Sequence, residues 1–263
     1  MITDTVDVKA ALTEGLTGLH LPTVKRIYEE AARLAERETL SYERYLLDLV
    51  TRETNDRQQK RIQRLLRQSR IPTEKALSNF NLKRLPPKVA LLTKSLIEGD
   101  VLDRRDNVLA FGNPGSGKTH LLCAIGQELI ARGRRMYFTT AALLVQDLLV
   151  AKRDLKLSRL IKKLGHFEGL IIDDLGYVQQ SREEMEVLFT LLAERYERGS
   201  VLISSNLPFS KWEGIFKDPM TTAAAIDRLV HHCVILELNI PSYRVEQAKK
   251  AKNEASLSES AGA

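Results

Sequence analysis

The 263-residue chain has no apolar run near the ~20 residues that span a bilayer, and no basic-then-apolar leader opens it. These two absences exclude a membrane or secreted protein as the expectation. Cysteine is scarce: Cys123 and Cys233 sit in apolar runs without CxxC or CxxH spacing. Neither a disulfide framework nor a structural zinc site is supported, and Cys123 reads as a small core residue. His231 and His232 have no accompanying carboxylate or cysteine set, so they read as structural. No internal repeat is present. With 43% hydrophobic and 28% charged residues, a sizeable core is expected and global disorder is not.

The formal net charge is +6, and it is unevenly placed. Residues 1–90 carry 17 Lys and Arg against 12 Asp and Glu, which leaves the rest nearly neutral. The segment RQQKRIQRLLRQSR, residues 57–70, holds six basic residues and no acid. On a helix, Arg57, Arg61 and Arg64 share a stripe, with Lys60 and Arg67 beside it. A second basic helix is expected over 151–164, AKRDLKLSRLIKKL, and carries Lys152, Arg153, Lys156 and Arg159. Either stretch alone fits a solvated amphipathic face. Two of them on a basic chain point to a nucleic-acid backbone, which such contacts position without reading sequence.

The first seventy residues read as helical. Pro22 suits the first turn of a helix through residue 38, with Val24, Ile27, Ala31 and Leu34 on its apolar face. Ser41 can cap the next helix, whose expected buried stripe is Tyr42, Tyr45, Leu46, Leu49 and Val50. Pro72 stops the basic helix near Arg70. The organisation read from this pattern is a helical module over 1–70 whose basic stripe suits DNA, a connector over 71–106, an α/β core over 107–245 and a flexible tail over 246–263. Within the core, NVLAF (107–111), RMYFT (135–139), GLIID (169–173), SVLISS (200–205) and CVILEL (233–238) alternate with helical patterns. Apolar runs of this kind are expected as parallel strands covered on both faces, giving a five-stranded doubly wound sheet. Tyr137 and Phe138 are expected in its core, and Trp212 as a surface helix anchor.

After the first strand comes GNPGSGKTH, in which Gly112, Gly117, Lys118 and Thr119 match GxxxxGK[ST]. Glycines let successive backbone N–H groups converge on an anion, and the following helix adds its positive end. Gly112, Asn113, Pro114, Gly115, Ser116, Gly117, Lys118, Thr119 and His120 are therefore the candidate nucleotide site. Lys118 is expected at the β- and γ-phosphates and the Thr119 hydroxyl on Mg²⁺. GLIIDD ends an apolar strand with two carboxylates at the edge where ligands bind in open α/β sheets. Asp173 is the expected metal-side acid, and Asp174 either polarises an attacking water or caps a turn. Asn206, ending SVLISSN, is expected at the same edge.

GNPGSGKT, LIIDDLG, SSN and IDRLVHHCVILELNIPSYR together resemble the AAA+ ATPases of the helicase-loader and initiator branch. Adding LSYERYLLDLV, the basic helix and NFNL (79–82), the chain resembles the IstB family, ATPase helpers of bipartite bacterial insertion sequences. The resemblance implies an α/β P-loop AAA+ domain behind a small all-α domain, with ATP and Mg²⁺ as cofactors and a bacterial cytoplasmic location. It makes Asp173 and Asp174 a Walker B pair, although many relatives carry Glu at the second place, and Asn206 a sensor. Arg228 becomes an arginine finger for a neighbouring subunit, and Arg244 a residue near the nucleotide. With 25 residues after the last expected strand, a C-terminal lid is not expected. The implied function is ATP-dependent self-assembly on double-stranded DNA with recruitment of a partner transposase. A single-strand-acting replicative helicase loader, or an ATP-switched DNA scaffold with negligible hydrolysis, remains an alternative.

Overall fold

The computed structural model describes residues 7–176, 181–212, 219–243 and 245–246. The chain divides into two compact units, residues 1–64 and 65–263.

The first unit contains α1 (Val8–Gly18), α2 (Pro22–Arg37) and most of α3 (Tyr42–Ser69). Asp7 caps α1 by accepting from the N–H groups of Lys9 and Ala10. Pro22 does open α2, where the missing N–H costs nothing. No local side chain caps that helix; the carboxylate of Glu53 on α3 does so, accepting from Thr23 N at 2.8 Å and Val24 N at 3.0 Å. Thr23 Oγ1 donates to Asp56 one turn further along α3, at 2.7 Å. Leu16, Val24, Ala31 and Leu49 form the core of this unit. The stripe expected on α3 is corrected: Leu49 is buried and Tyr45 half-buried, but Tyr42, Leu46 and Val50 are 91%, 60% and 52% exposed. Helical spacing groups those residues on neighbouring faces, and only one of the faces is covered.

The second unit begins with the end of α3, stopped at Ser69 ahead of Pro72. One-turn 3-10 helices follow at Leu77–Asn79 and Leu82–Arg84, then α4 (Pro87–Glu98) and α5 (Asp100–Asp103). The alternating region is β1 (Asn107–Gly112), α6 (Lys118–Ala131), β2 (Met136–Thr140), α7 (Ala141–Arg153), α8 (Leu157–Leu164), β3 (Gly169–Leu175), α9 (Arg182–Arg195), β4 (Ser200–Ser205), α10 (Pro219–Val230) and β5 (Cys233–Leu238). The five expected strands form one parallel sheet in the order β2-β3-β4-β1-β5.

Alternate strand residues point to opposite faces. Leu109, Leu170, Ile172, Val201 and Ile203 join Leu144, Leu148, Leu188, Leu191 and Leu229 from α7, α9 and α10 in one core. On the other face α6 approaches so closely that a Cβ on Gly126 would lie 2.7 Å from Ile171 Cδ1. Burial on both sides is why the strands read as continuous apolar runs.

Three further expectations are corrected. Residues 151–164 are not one helix: α7 ends at Arg153, Leu155 adopts φ 57° and is 96% exposed, and α8 starts at Leu157. Trp212 is no surface anchor but fully buried, its Nε1 donating to Leu207 O at 3.0 Å and its ring 6.1 Å from that of Phe111. Phe138 is half-buried on the sheet's edge strand beneath Lys75 and does not join the core, whereas Tyr137, half-buried beneath Arg70, packs against the core as expected.

Candidate nucleotide site

Because β1 lies between β4 and β5, and β3 beside β4, the segments leaving β1, β3 and β4 gather at one carboxyl edge of the sheet. A cavity of ≈ 440 Å³ opens there. Pro114 to His120, Asp174 and Asn206 line it, so most of the expected site residues come together. The volume lies within the range of ligand pockets.

Lys118 is 5% exposed and opens α6. Its Nζ donates to Gly112 O at 2.8 Å, to Asn113 O at 3.0 Å and to Asn206 Oδ1. Gly112 and Asn113 thus serve through carbonyls that aim the lysine, and Asn206 is joined to the P-loop directly. Gly117 caps α6 at φ 98°, a conformation that a side chain would strain, and a Cβ there would meet the Phe80 ring at 3.1 Å. Gly115, at φ 78°, leaves no room for a Cβ, which would fall 2.2 Å from Ser242 Oγ. Ser116 is 1% exposed and its Oγ has no hydrogen-bond partner among the described residues. An unpaired buried hydroxyl costs about 1–3 kcal/mol, which a phosphate oxygen accepting from it would relieve.

At the end of β3 the register with β4 slips: Ile172 pairs with Ile203, but Leu175 with Ser205. This extra residue is a β-bulge, and it sets the two aspartates apart. Asp173 stays buried, accepting from Ser204 Oγ at 2.6 Å. Asp174 takes φ 57° and is turned out to the cavity, its N–H donating to the same Ser204 oxygen at 2.9 Å. Sequence reasoning missed Ser204; its position one residue after a β4 strand partner of β3 becomes legible only with the register.

Reasoning from sequence also missed much of the cavity wall. Lys75, Asn79, Phe80, Asn81 and Arg84 from the connector line it, with Ile240 and Tyr243 after β5. Phe80 meets the His120 ring edge-on at 5.1 Å, and His120 Nε2 lies 3.1 Å from Ala76 O. Arg84 stacks over Tyr243 at 4.9 Å, donates to Pro241 O and pairs with Glu246 at 2.9 Å. Tyr243 N–H in turn donates to Gly115 O at 3.0 Å, so connector, P-loop and the segment after β5 are hydrogen-bonded into one frame. The NFNL sequence was the one available signal. Arg244 and the residues beyond 246, including the expected absence of a lid, lie outside the described residues.

Arg228 stands elsewhere. Asn107, at the amino end of β1, donates to Arg228 O and Leu229 O at 3.5 and 3.1 Å. The P-loop leaves the opposite end of this strand, ~17 Å away at 3.3 Å per residue.

The two groups expected at magnesium are the Thr119 hydroxyl, on the cavity wall, and the Asp173 carboxylate, buried against Ser204. Among the described residues no cluster of three or more His, Cys, Asp or Glu could hold a metal alone. A one-carboxylate, one-hydroxyl set fits Mg²⁺, which takes few protein ligands and completes its shell with phosphates and water.

The expected DNA-contacting residues are all exposed. On α3, Arg57 pairs with Glu53 at 2.9 Å and Lys60 with Asp56 at 2.7 Å. Arg61, Arg64 and Arg67 lie on the same helix. Lys152 pairs with Glu186, while Arg153 and Lys156 flank Asp154. On α8, Arg159 is joined by exposed Lys162 and Lys163. No helix among the described residues is long and apolar enough to cross a membrane.

Comparison with known proteins agrees with this geometry. An insertion sequence ATP-binding protein of Sinorhizobium fredii is 42% identical over 250 residues, 95% of this chain and 84% of that one. The insertion sequence IS5376 ATP-binding protein of Geobacillus stearothermophilus is 34% identical, over 92% of this chain and 96% of that one. Among solved structures, AMPPCP-bound DnaA from Aquifex aeolicus aligns with TM-score 0.56 at 18% identity, over 70% of this chain but 56% of DnaA. The DnaC helicase loader aligns with TM-score 0.52 at 18% identity, over 62% and 97%. These two share the fold. Residues 14–251 match the IstB-like ATP binding protein family, to which the chain belongs.

Proposed function

We propose that the chain hydrolyses ATP in a site completed by a second copy, assembles in its ATP form on double-stranded DNA and recruits a partner transposase. The observation that carries this reading is the separation of Arg228 from its own P-loop by the length of β1. A residue so placed is out of reach of its own nucleotide and is available to that of another subunit.

Within one site, Lys118 engages the β- and γ-phosphates, and Asn206 is hydrogen-bonded to that lysine. Bound Mg²⁺, held by Thr119 and Asp173, would neutralise charge on the phosphate oxygens. Asp174 accepts a proton from the attacking water, which lies in line with the γ-phosphate. Arg228 of the adjacent copy stabilises transition-state charge, a contribution worth ~10³–10⁵ in rate where such fingers are characterised. The exposed cations of α3 and of the α7–α8 region bind DNA phosphates, so affinity falls with rising salt.

Turnover of Asp174→Asn, Arg228→Ala and an equal mixture of the two tests the site. Each variant alone is expected to be nearly inactive. The mixture regains activity, because Arg228→Ala keeps an intact P-loop and Asp174→Asn an intact finger. Wild-type rates from both single variants would refute the assignment.

A further inference from the structure

Arg228 is an arginine in unusual company. Its guanidinium carbon lies 4.9 Å from the centroid of the Phe189 ring on α9, and Nη1 donates to Ala224 O in its own helix at 3.3 Å. It forms no ion pair with a carboxylate among the described residues, although Asp227 adjoins it in sequence.

The surroundings make that absence informative. A second cavity, ≈ 280 Å³, opens at the amino edge of the sheet and is lined by Arg104, Arg105, Arg195 and Arg228 with one acid, Glu197. Arg104 is paired with Asp106. Arg195 is 4% exposed and bonded to the carbonyls of Leu164, Phe167, Glu168 and Ser200, with its Nε unpaired. Its charge is thus held by dipoles and is not cancelled. Like charges that line one cavity repel one another, and a long arginine side chain among them has many rotamers in which to escape.

An aromatic face resolves the conflict. The negative face of the ring quadrupole attracts a guanidinium and restrains it without supplying a countercharge. A carboxylate in the same place would hold the arginine equally well and would quench it. Contact with Phe189 leaves Arg228 with its full charge and with N–H donors to spare for an incoming anion.

We infer that Phe189 is a positioning residue for Arg228, presenting its guanidinium at the mouth of this cationic cavity to the terminal phosphate of a nucleoside triphosphate held by a second copy. The inference rests on the trans-finger reading above and adds a residue to it. Phe189 touches no nucleotide in this account; it acts through Arg228 alone.

The test compares Phe189→Leu, Phe189→Tyr and Arg228→Ala in steady-state ATP turnover, with nucleotide affinity measured alongside. Phe189→Leu is expected to lower kcat between about tenfold and a hundredfold, the scale of a displaced catalytic group, with nucleotide affinity unchanged. Phe189→Tyr, which keeps the ring face, restores the rate. Mixing Phe189→Leu with Lys118→Ala, which lacks a working P-loop but keeps a wild-type finger, raises turnover per Phe189→Leu protomer. A merely structural defect, which tyrosine would also repair, would not be rescued in trans. Should the leucine variant fold poorly, Phe189→Met fills similar volume without a quadrupole and takes its place. Wild-type kcat for Phe189→Leu alongside a crippled Arg228→Ala overturns this inference alone. An unaffected Arg228→Ala overturns the trans-finger reading beneath it.

Discussion

The hydroxyl of Ser204 donates its single hydrogen to Asp173 Oδ1 at 2.6 Å and accepts the N–H of Asp174 at 2.9 Å. One serine on β4 therefore fixes both acids of β3, the buried one through its carboxylate and the exposed one through its backbone. Without it the bulge that separates their directions loses its tie to the neighbouring strand. Ser204→Ala is expected to lower ATP turnover about tenfold to a hundredfold, the usual range for a lost partner of a metal-side ligand. Ser204→Thr, which keeps the hydroxyl, should recover most of it. An alanine variant with wild-type kcat would show that the acids are held by other means.

Arg84 is the corresponding tie on the far wall of the cavity. Through Tyr243, Pro241 and Glu246 it fastens the connector to the segment after β5. Arg84→Ala removes a cation–π contact and a partly exposed ion pair, each worth about 1 kcal/mol. Nucleotide affinity measured by titration should weaken about tenfold, while Arg84→Lys, unable to stack and pair at once, recovers only part.

Glu53 governs how the α2–α3 pair responds to acid. Burial raises its pKa, but the Val24 N–H, the Arg57 guanidinium and the Thr23 N–H together outweigh burial and leave it lowered. A lowered folded-state pKa contributes stability that is present above the ordinary carboxylate value, ~4.3 for a free glutamate, and is lost as pH falls from there through the lowered folded value. Thermal melts of the wild type should therefore drop on acidification by more than those of Glu53→Gln. At neutral pH the glutamine variant itself should be less stable, by about 1–3 kcal/mol, because a buried charge-assisted cap is weakened. Parallel pH curves for the two proteins would contradict the role of Glu53.

The two thiols should be quiet. Burial pushes both Cys123 and Cys233 up to about 12, so almost no thiolate exists at neutral pH. An alkylating reagent is expected to modify Cys123, which is fully buried, only on the timescale of unfolding. Rapid labelling of the native protein, followed by peptide mass, would contradict the packing described for α6.

The strands and the P-loop were legible in the sequence because their signals are local. Val108 to Phe111 or Leu170 to Ile172 can be apolar without interruption only where both sheet faces are covered, and GNPGSGKT carries its own turn chemistry. Other features depend on what covers a residue, which periodicity does not report. Tyr42, Leu46 and Val50 share helical spacing with Leu49 yet lie open, and Trp212 is buried although its neighbours in sequence are polar. The break at Leu155 has no Gly, Pro or Asn to announce its positive φ. Ser204 and Phe80 matter through partners 31 and 37 residues away, Asp173 and Gly117, and such pairings are set by register and by a connector folding back over the P-loop. Arg228 was named from resemblance. Its distance from its own P-loop required the sheet order.

Binding to duplex and single-stranded DNA of equal length, with ATP and with ADP, should be measured while particle mass is followed. ATP-dependent particles much heavier than one chain, formed on duplex and lost with Arg228→Ala, are the expected result. Preference for single strands would instead indicate a helicase-loader activity, and absence of DNA binding in both nucleotide states would contradict the proposed function outright.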